Sequence, residues 1–110
     1  MTDKAWKRAE REIATLLGGL RIPITGRARG SAADITHETY SIEVKRRESV
    51  PAWLFTEAFE QADMSNDGTK TPLVVVEWAR GRGRGKERYA VLRLGDFIEV
   101  VERAQRVLND

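Results

Sequence analysis

Hydrophobic side chains recur at helical spacing in the first part of the chain. From Trp6 to Leu20 they return every three or four positions, so they lie on one face of a helix predicted over residues 3–18. Asp3 is a candidate N-cap for this helix. Gly18-Gly19 is expected to end it, because glycine adopts the left-handed conformation of helix C-termini at little cost. The pattern therefore predicts an amphipathic N-terminal helix, with Trp6 in the core.

A second helix is predicted over residues 51–64. Pro51 suits the first turn of a helix, because its missing N–H needs no partner there. The helix carries a broad hydrophobic face that includes Trp53, Phe55 and Phe59. We expect these aromatic side chains in the core or in a dimer interface.

A third helix is predicted to begin at Gly95-Asp96, with Asp96 as its N-cap. Its hydrophobic positions again follow helical spacing. The predicted inner face consists of Phe97, Ile98, Val101, Ala104, Val107 and Leu108.

Alternation at every second position predicts strands between the first two helices. Residues 32–37 and 39–46 are expected to form two strands joined by a tight turn near His37-Glu38, where His37 serves as a turn residue. A further short strand is predicted near residues 20–25. The hydrophobic positions of the 39–46 strand are Tyr40, Ile42 and Val44.

Two more strands are predicted in the second half. Residues 72–79 contain a continuous hydrophobic run, typical of a strand covered on both faces, and place Trp78 in the core. Residues 80–86 alternate arginine and glycine as a flexible cationic turn, and 89–94 form another strand. The order α-β-β-α-β-β-α, with a buried central strand, predicts an α/β or α+β sandwich, and we favour an α/β fold with a mixed β-sheet flanked by helices.

Length and composition narrow the class of protein. The 110 residues correspond to one domain, and no hydrophobic run approaches the roughly 20 residues that span a bilayer. The charged N-terminus has no apolar signal segment, which predicts a cytoplasmic protein. With no cysteine and a single histidine, a metal site would hold a hard cation such as Mg²⁺ or Mn²⁺ through carboxylates.

The distribution of charge is more informative than the net charge of +2. Basic residues cluster in three places: Arg27 with Arg29, residues 45–47, and residues 80–88. Such clusters are typical of contacts with a phosphate backbone, although solvated surfaces also carry them.

Three acidic features converge on one chemistry. A hairpin about the predicted turn would bring Asp34 beside Glu43, and Lys45 would share the face of Glu43 because the two are two residues apart on a strand. Facing carboxylates repel each other unless a divalent cation joins them, and a nearby lysine can hold a water or offset charge on a phosphate. The alternative is an exposed, salt-bridged strand face. Glu10 and Glu12 on the first helix are further candidates.

The motifs resemble those of the PD-(D/E)XK nuclease superfamily and, within it, the archaeal-type and phage-type Holliday junction resolvases. The resemblance covers about residues 5–80 and implies a restriction-endonuclease-like core. The residues that carry it are Glu10-Arg11-Glu12-Ile13, Gly30-Ser31-Ala32-Ala33-Asp34-Ile35 and Ile42-Glu43-Val44-Lys45.

The resemblance also implies roles for individual residues. Lys45 would position or activate the attacking water. Helical geometry leaves Glu12 open as an alternative to Glu10, because the two flank opposite edges of the hydrophobic stripe. The implied ligands of Mg²⁺, for which Mn²⁺ could substitute, are Glu10, Asp34, Glu43 and the Val44 carbonyl.

Other residues are expected to position the reacting groups or to contact DNA. Gln61 would orient the lysine or the water, or it lies on a solvated helix edge. Ser31 resembles the loop serine that contacts the scissile region in resolvases, or it is a turn residue. The basic residues expected to contact phosphates are Arg27, Arg29, Arg46, Arg47, Arg80, Arg82, Arg84 and Lys86.

The sequence thus predicts a metal-dependent DNA endonuclease. A homodimeric junction resolvase is favoured, because two symmetric nicks require two sites at a fixed separation. The alternatives are another small nuclease of the superfamily (repair, restriction or virus-type replication-repair) and a catalytically silent nucleic-acid-binding module. Intact Asp34, Glu43 and Lys45 argue against the silent module.

Overall fold

The computed structural model describes residues 4–21 and 34–109. They form a mixed α/β structure that divides into two compact units, one ending at Glu48 and the other beginning at Ser49. Each unit contains one two-stranded antiparallel sheet. The predicted roles of Asp3, Arg27, Arg29 and Ser31 lie outside the described residues, as does most of the predicted strand over 20–25.

Helix α1 (Ala5–Leu17) confirms the first predicted helix. Lys4 rather than Asp3 occupies the N-cap position, and no side-chain hydrogen bond caps the helix there. The helix ends at Gly18, whose φ of 73° is left-handed, as the glycine pair predicts. Of its side chains, Glu10 and Ala14 are buried.

Strands β1 (Leu20–Arg21) and β2 (Ile35–Thr36) pair antiparallel, with Arg21 opposite Ile35. On its other side, Ile35 forms an antiparallel bridge with Ile42, which confirms the predicted pairing about the turn. The strand predicted over 39–46 is otherwise wrong, since Ile42 is its only bridged residue within the described part of the chain. Ile35 is fully buried at the centre of this pairing.

Gly19 allows β2 to approach the end of α1. A Cβ atom at Gly19 would lie 2.6 Å from the Thr36 carbonyl oxygen and 2.7 Å from Cγ2 of Ile35, too close for van der Waals contact. The Gly19 N–H also donates to the Ala14 carbonyl oxygen at 2.8 Å. Glycine at this position therefore sets the spacing between helix and sheet.

His37 fixes the turn after β2. Its Nδ1 accepts backbone N–H bonds from Thr39 at 3.0 Å and Tyr40 at 3.3 Å. Because the Leu17 carbonyl at 2.8 Å can only accept, Nε2 carries the proton and donates to it. His37 is thus a turn residue, as predicted, and it also satisfies a carbonyl at the end of α1.

The second unit opens with a helix of two forms. A π-helical segment (Trp53–Ala58) is followed by helix α2 (Phe59–Met64), and the Pro51 carbonyl accepts the N–H of Phe55 at 3.0 Å. Phe59 is buried, whereas Trp53 and Phe55 are about half exposed. The predicted hydrophobic face is therefore only partly correct, because π-helical hydrogen bonds enclose more residues per turn and rotate side chains away from the α-helical stripe.

Strands β3 (Val74–Ala79) and β4 (Lys86–Val91) form an antiparallel hairpin, with Val74 opposite Val91. The prediction that β3 is covered on both faces is wrong, because Val75 is 60% exposed between two half-buried valines. A two-stranded hairpin presents alternate residues to opposite faces, so one face stays open. Trp78 and, in the first unit, Trp6 are also exposed rather than core residues.

Helix α3 (Leu94–Asn109) begins earlier than predicted. The Phe97 N–H donates to the Arg93 carbonyl, so Asp96 lies inside the first turn and is not the N-cap. The predicted inner face is correct only near the start of the helix. Phe97, Ile98 and Val101 are half-buried, whereas Ala104, Val107 and Leu108 are exposed.

An ion pair joins α2 to the start of α3. The Arg93 guanidinium donates to both carboxylate oxygens of Asp63, at 2.9 and 2.7 Å, and it lies over the Phe59 ring. This hydrogen bonding holds the pKa of Asp63 below its ordinary value. Within residues 4–21 and 34–109, no helix is long and hydrophobic enough to cross a membrane.

Candidate active site

A cavity of about 350 Å³ in the first unit brings together most of the predicted active-site residues. Its wall consists of the first turns of α1, of Asp34 directly before β2, and of residues 43–47 after the turn that follows β2. The lining residues are Ala5, Trp6, Glu10, Asp34, Glu43, Val44, Lys45, Arg46 and Arg47. Four of the predicted catalytic residues thus share one cavity, although they come from three separate segments of the chain.

Glu10 reaches the cavity from α1 and is only 5% exposed. Its Oε2 accepts a hydrogen bond from Nε of Arg21 at 2.6 Å. A buried carboxylate needs such a partner, because transferring an unpaired charge from water is costly. Glu12 is exposed and does not line the cavity, so the structure separates the two candidates by burial.

Asp34 lies directly before β2 and is 6% exposed. Its N–H donates to the Ile42 carbonyl at 3.0 Å, and its Oδ2 accepts the N–H of Val44 at 2.7 Å. These bonds fix Asp34 beside the chain that carries Glu43. The bridge between Ile35 and Ile42 makes Asp34 and Glu43 the next opposing pair in the antiparallel register.

The two buried carboxylates are bonded in the same way. Glu10 and Asp34 each use one carboxylate oxygen within the protein. Among the described residues, the other oxygen of each has no hydrogen-bond partner, and no buried side-chain polar atom is left unsatisfied there. Both second oxygens therefore retain some access to the cavity or its surroundings.

Glu43 and Lys45 lie on the exposed face of the third segment. Their side chains are both more than half exposed, and the Lys45 ammonium lies 2.8 Å from the Glu43 carboxylate. The intervening Val44 is half-buried, so the predicted alternation holds here even though no regular strand forms. The pair is the salt-bridged strand face that the sequence left open, and it also lines the cavity.

The donor set of this cavity fits a hard divalent cation. Carboxylate and carbonyl oxygens are the ligands that Mg²⁺ prefers. Glu10 and Asp34 each keep one carboxylate oxygen that takes no part in the hydrogen bonds described above. In this arrangement, cations of the protein pair with Glu10 and Glu43. Among the described segments, no three acidic or histidine side chains are grouped closely enough to hold one metal ion.

Arg46 and Arg47 add positive charge to the cavity wall. Arg47 donates from Nη1 to the Arg46 carbonyl at 2.9 Å, and both residues are exposed. Neither forms an ion pair with a residue in the described ranges, and only Nη1 of Arg47 is engaged in a hydrogen bond there. Such arginines suit contacts with phosphate oxygens.

Other predicted functional residues belong to the second unit. Gln61 is exposed on α2, where its backbone carbonyl accepts the N–H of Ser65. The arginine–glycine turn forms the loop between β3 and β4, in which Gly81, Gly83 and Gly85 all have positive φ. L-residues rarely adopt this conformation, so the three glycines are needed for the shape of the loop.

The basic residues of that loop, and Lys86 at the start of β4, differ in their partners. Arg80 pairs with Glu87 across the hairpin and lies over the Trp78 ring, and Lys86 lies 3.9 Å from Glu77. Arg82 and Arg84 form no ion pair with any residue that the structure describes. They are therefore the two arginines of the loop best placed to meet a phosphate.

Comparison with known proteins gives no match: no protein family, no curated protein and no solved structure is significantly similar to this chain. One residue that contacts the site was absent from the sequence predictions. Arg21 lies in β1 and holds Glu10, and its only sequence signal was a position in the further short strand expected near Leu20.

Proposed function

We propose that this chain is a metal-dependent DNA endonuclease with a restriction-endonuclease-like core, and that it acts as a Holliday junction resolvase. The cavity of the first unit carries the proposal, because Glu10, Asp34, Glu43 and Lys45 all line it. Carboxylates that can hold a divalent cation, with a lysine beside them, suit phosphodiester hydrolysis. The same residues carry the resemblance to the PD-(D/E)XK nucleases.

Each residue has a defined role in this proposal. Bound Mg²⁺, or Mn²⁺ in its place, would polarise a phosphoryl oxygen and supply hydroxide at neutral pH. Lys45 orients the attacking water or offsets charge on the phosphate, and its ion pair with Glu43 keeps its ammonium group at the cavity. For Gln61 the sequence leaves two proposals: it orients the lysine or the water, or it lies on a solvated helix edge, where it is exposed. The proposed ligands are Glu10, Asp34, Glu43 and the Val44 carbonyl.

DNA would be held by cations that contact its phosphates rather than its bases. Arg46 and Arg47 lie in the cavity wall, next to the proposed cleavage chemistry. Arg82 and Arg84, on the loop between β3 and β4, are a second set of phosphate contacts. The remaining proposed contacts are Arg27, Arg29, Ser31, Arg80 and Lys86.

A four-way junction is the proposed substrate, and a homodimer is the proposed enzyme. Resolution requires one nick in each of two symmetry-related strands, and a two-fold dimer supplies two cavities at a fixed separation. This substrate places the proposed enzyme in the cytoplasm of a bacterial, archaeal or phage-infected cell.

Cleavage of three labelled substrates tests the proposal. The purified protein is incubated with Mg²⁺ or Mn²⁺ and a four-way junction, a linear duplex or a single strand. We expect paired, symmetric nicks in the junction alone. Cleavage of all three substrates would favour another small nuclease of the superfamily. Binding without cleavage by the folded protein, with either metal ion, would favour the silent binding module.

Glu43→Gln separates chemistry from binding. The substitution removes one proposed metal ligand while keeping the size of an exposed side chain, so we expect cleavage to be lost and junction binding retained. Glu38→Gln is the matched control, because Glu38 is exposed on the turn and does not line the cavity. Gel-shift and nicking assays on the same preparations measure both properties. Loss of binding along with cleavage in Glu43→Gln would contradict the assigned role.

A further inference from the structure

Arg21 contacts the proposed metal site without being part of the cavity wall. Its Nε donates to Oε2 of Glu10 at 2.6 Å, whereas Glu10 itself lines the cavity. Both side chains are largely buried, with 17% of the arginine and 7% of the glutamate exposed. The Arg21 guanidinium thus hydrogen-bonds one carboxylate oxygen of Glu10 and does not bond the other.

A second contact fixes Arg21 in place. Its guanidinium carbon lies 5.8 Å from the centre of the Trp6 ring, within the range of a cation–π interaction. Trp6 lines the same cavity as Glu10. The backbone of Arg21 is held as well, because β1 pairs it with Ile35, the residue after Asp34. Arg21 is therefore positioned by the same elements that position the two buried carboxylates.

We propose that Arg21 is a positioning residue that holds Glu10 at the cavity and sets its affinity for a divalent cation. This inference rests on the proposed function, since it assumes that Glu10 serves a metal ion. Arg21 compensates the buried negative charge when no metal ion is bound, and it occupies Oε2, which leaves only the other oxygen of Glu10 for the ion. The arginine and the cation stabilise the same carboxylate, so each reduces what the other adds.

The competition between Arg21 and the divalent cation for the Glu10 carboxylate has a measurable consequence. Without the guanidinium charge, the buried carboxylate has lost its main stabilising partner, and a divalent cation becomes the replacement. The Arg21→Gln variant should therefore melt at a lower temperature than the wild type in EDTA. Mn²⁺ should raise its melting temperature further than it raises that of the wild type. A coupling of about tenfold in affinity would make the difference about 7 °C.

Three variants isolate the effect. Arg21→Lys keeps the positive charge and should respond to Mn²⁺ as the wild type does. Arg8→Gln removes an exposed cation from α1, so it controls for the change in net charge. In Arg21→Gln combined with Glu10→Gln, the extra response to Mn²⁺ should disappear, because the carboxylate that both cations stabilise is gone.

Circular dichroism melts in EDTA and in saturating Mn²⁺ give the readout for every variant. Equal Mn²⁺ shifts in Arg21→Gln and the wild type would overturn the inference. If Arg21→Gln is unfolded in EDTA, recovery of the native spectrum on addition of Mn²⁺ supports the inference, and failure to recover contradicts it. An active nuclease with equal shifts retains the proposed function and loses only this inference. Absence of any Mn²⁺ response, together with absence of cleavage, removes both.

Discussion

Gly19→Ala should destabilise the first unit by forcing β2 away from α1. The added Cβ would lie 2.6 Å from the Thr36 carbonyl oxygen and 2.7 Å from Cγ2 of Ile35. The first neighbour is backbone and the second is the fully buried side chain at the centre of the sheet, so neither can yield without moving the strand. The substitution is therefore an overpacking change rather than a change of backbone preference.

The expected loss of folding stability follows from how hard the two contacted groups are to displace. Extra carbon atoms in a well-packed site typically cost 1–3 kcal/mol. Because both contacts of the new Cβ are with groups that are hard to displace, we expect about 2 kcal/mol, or a fall in melting temperature of about 10 °C. Asp34 directly precedes the displaced strand, so the proposed cleavage activity should fall as well.

Urea denaturation followed by circular dichroism measures the change in the free energy of unfolding. Gly95→Ala is the matched control, since a Cβ at this position of α3 would meet no atom within 4 Å. Alanine favours a helix over glycine, so this control should gain up to about 1 kcal/mol. A Gly19→Ala protein as stable as the wild type would refute the close approach of Gly19 and β2.

Two further predictions concern ion pairing and turn geometry. Arg93 lowers the pKa of Asp63 in the folded state, so the pair adds stability above the ordinary pKa of 3.8, and this stability is lost as the pH falls through the lowered value. Asp63→Asn should flatten the fall in melting temperature below about pH 4, and an unchanged acid profile would contradict the role of the pair. His37→Ala should lose about 1–3 kcal/mol in urea denaturation, because the Leu17 carbonyl and two turn N–H groups lose their partner. His37→Asn should lose less, since an asparagine oxygen can still accept the turn N–H groups, and equal losses in both variants would count against this assignment.

Local pattern predicted the proximity of Asp34 and Glu43. Alternation at every second position, together with a turn at His37, defines which residues of a hairpin oppose each other. The observed bridge between Ile35 and Ile42 has that register. Both the periodicity and the turn are encoded within about a dozen consecutive residues, which is why the sequence alone was sufficient here.

The role of Arg21 could not be predicted in the same way. Its partner Glu10 is eleven residues away on a different element, and the contact depends on how the chain turns back after α1. That return is set by the left-handed Gly18 and by the close approach at Gly19. Neither glycine specifies by itself which arginine will meet the buried carboxylate.

Hydrophobic periodicity also overstated the core. It identified the helical positions of Val107 and Leu108 correctly, yet both side chains are largely exposed near the end of α3. Periodicity reports which side of a helix is hydrophobic, but burial depends on how far the neighbouring elements extend along it. Trp53 illustrates a second cause, because a π-helical segment does not follow the α-helical spacing that the prediction assumed.

In the loop between β3 and β4, the residues that determine the backbone conformation differ from the residues that carry the positive charge. Gly81, Gly83 and Gly85 provide the left-handed backbone, whereas the side chains of Arg82 and Arg84 have no structural partner among the residues described. The cationic positions are therefore open to substitution without refolding the hairpin, while the glycines are not. Substitutions at Arg82 and Arg84 could therefore change the charge of this loop one unit at a time and keep its backbone unchanged.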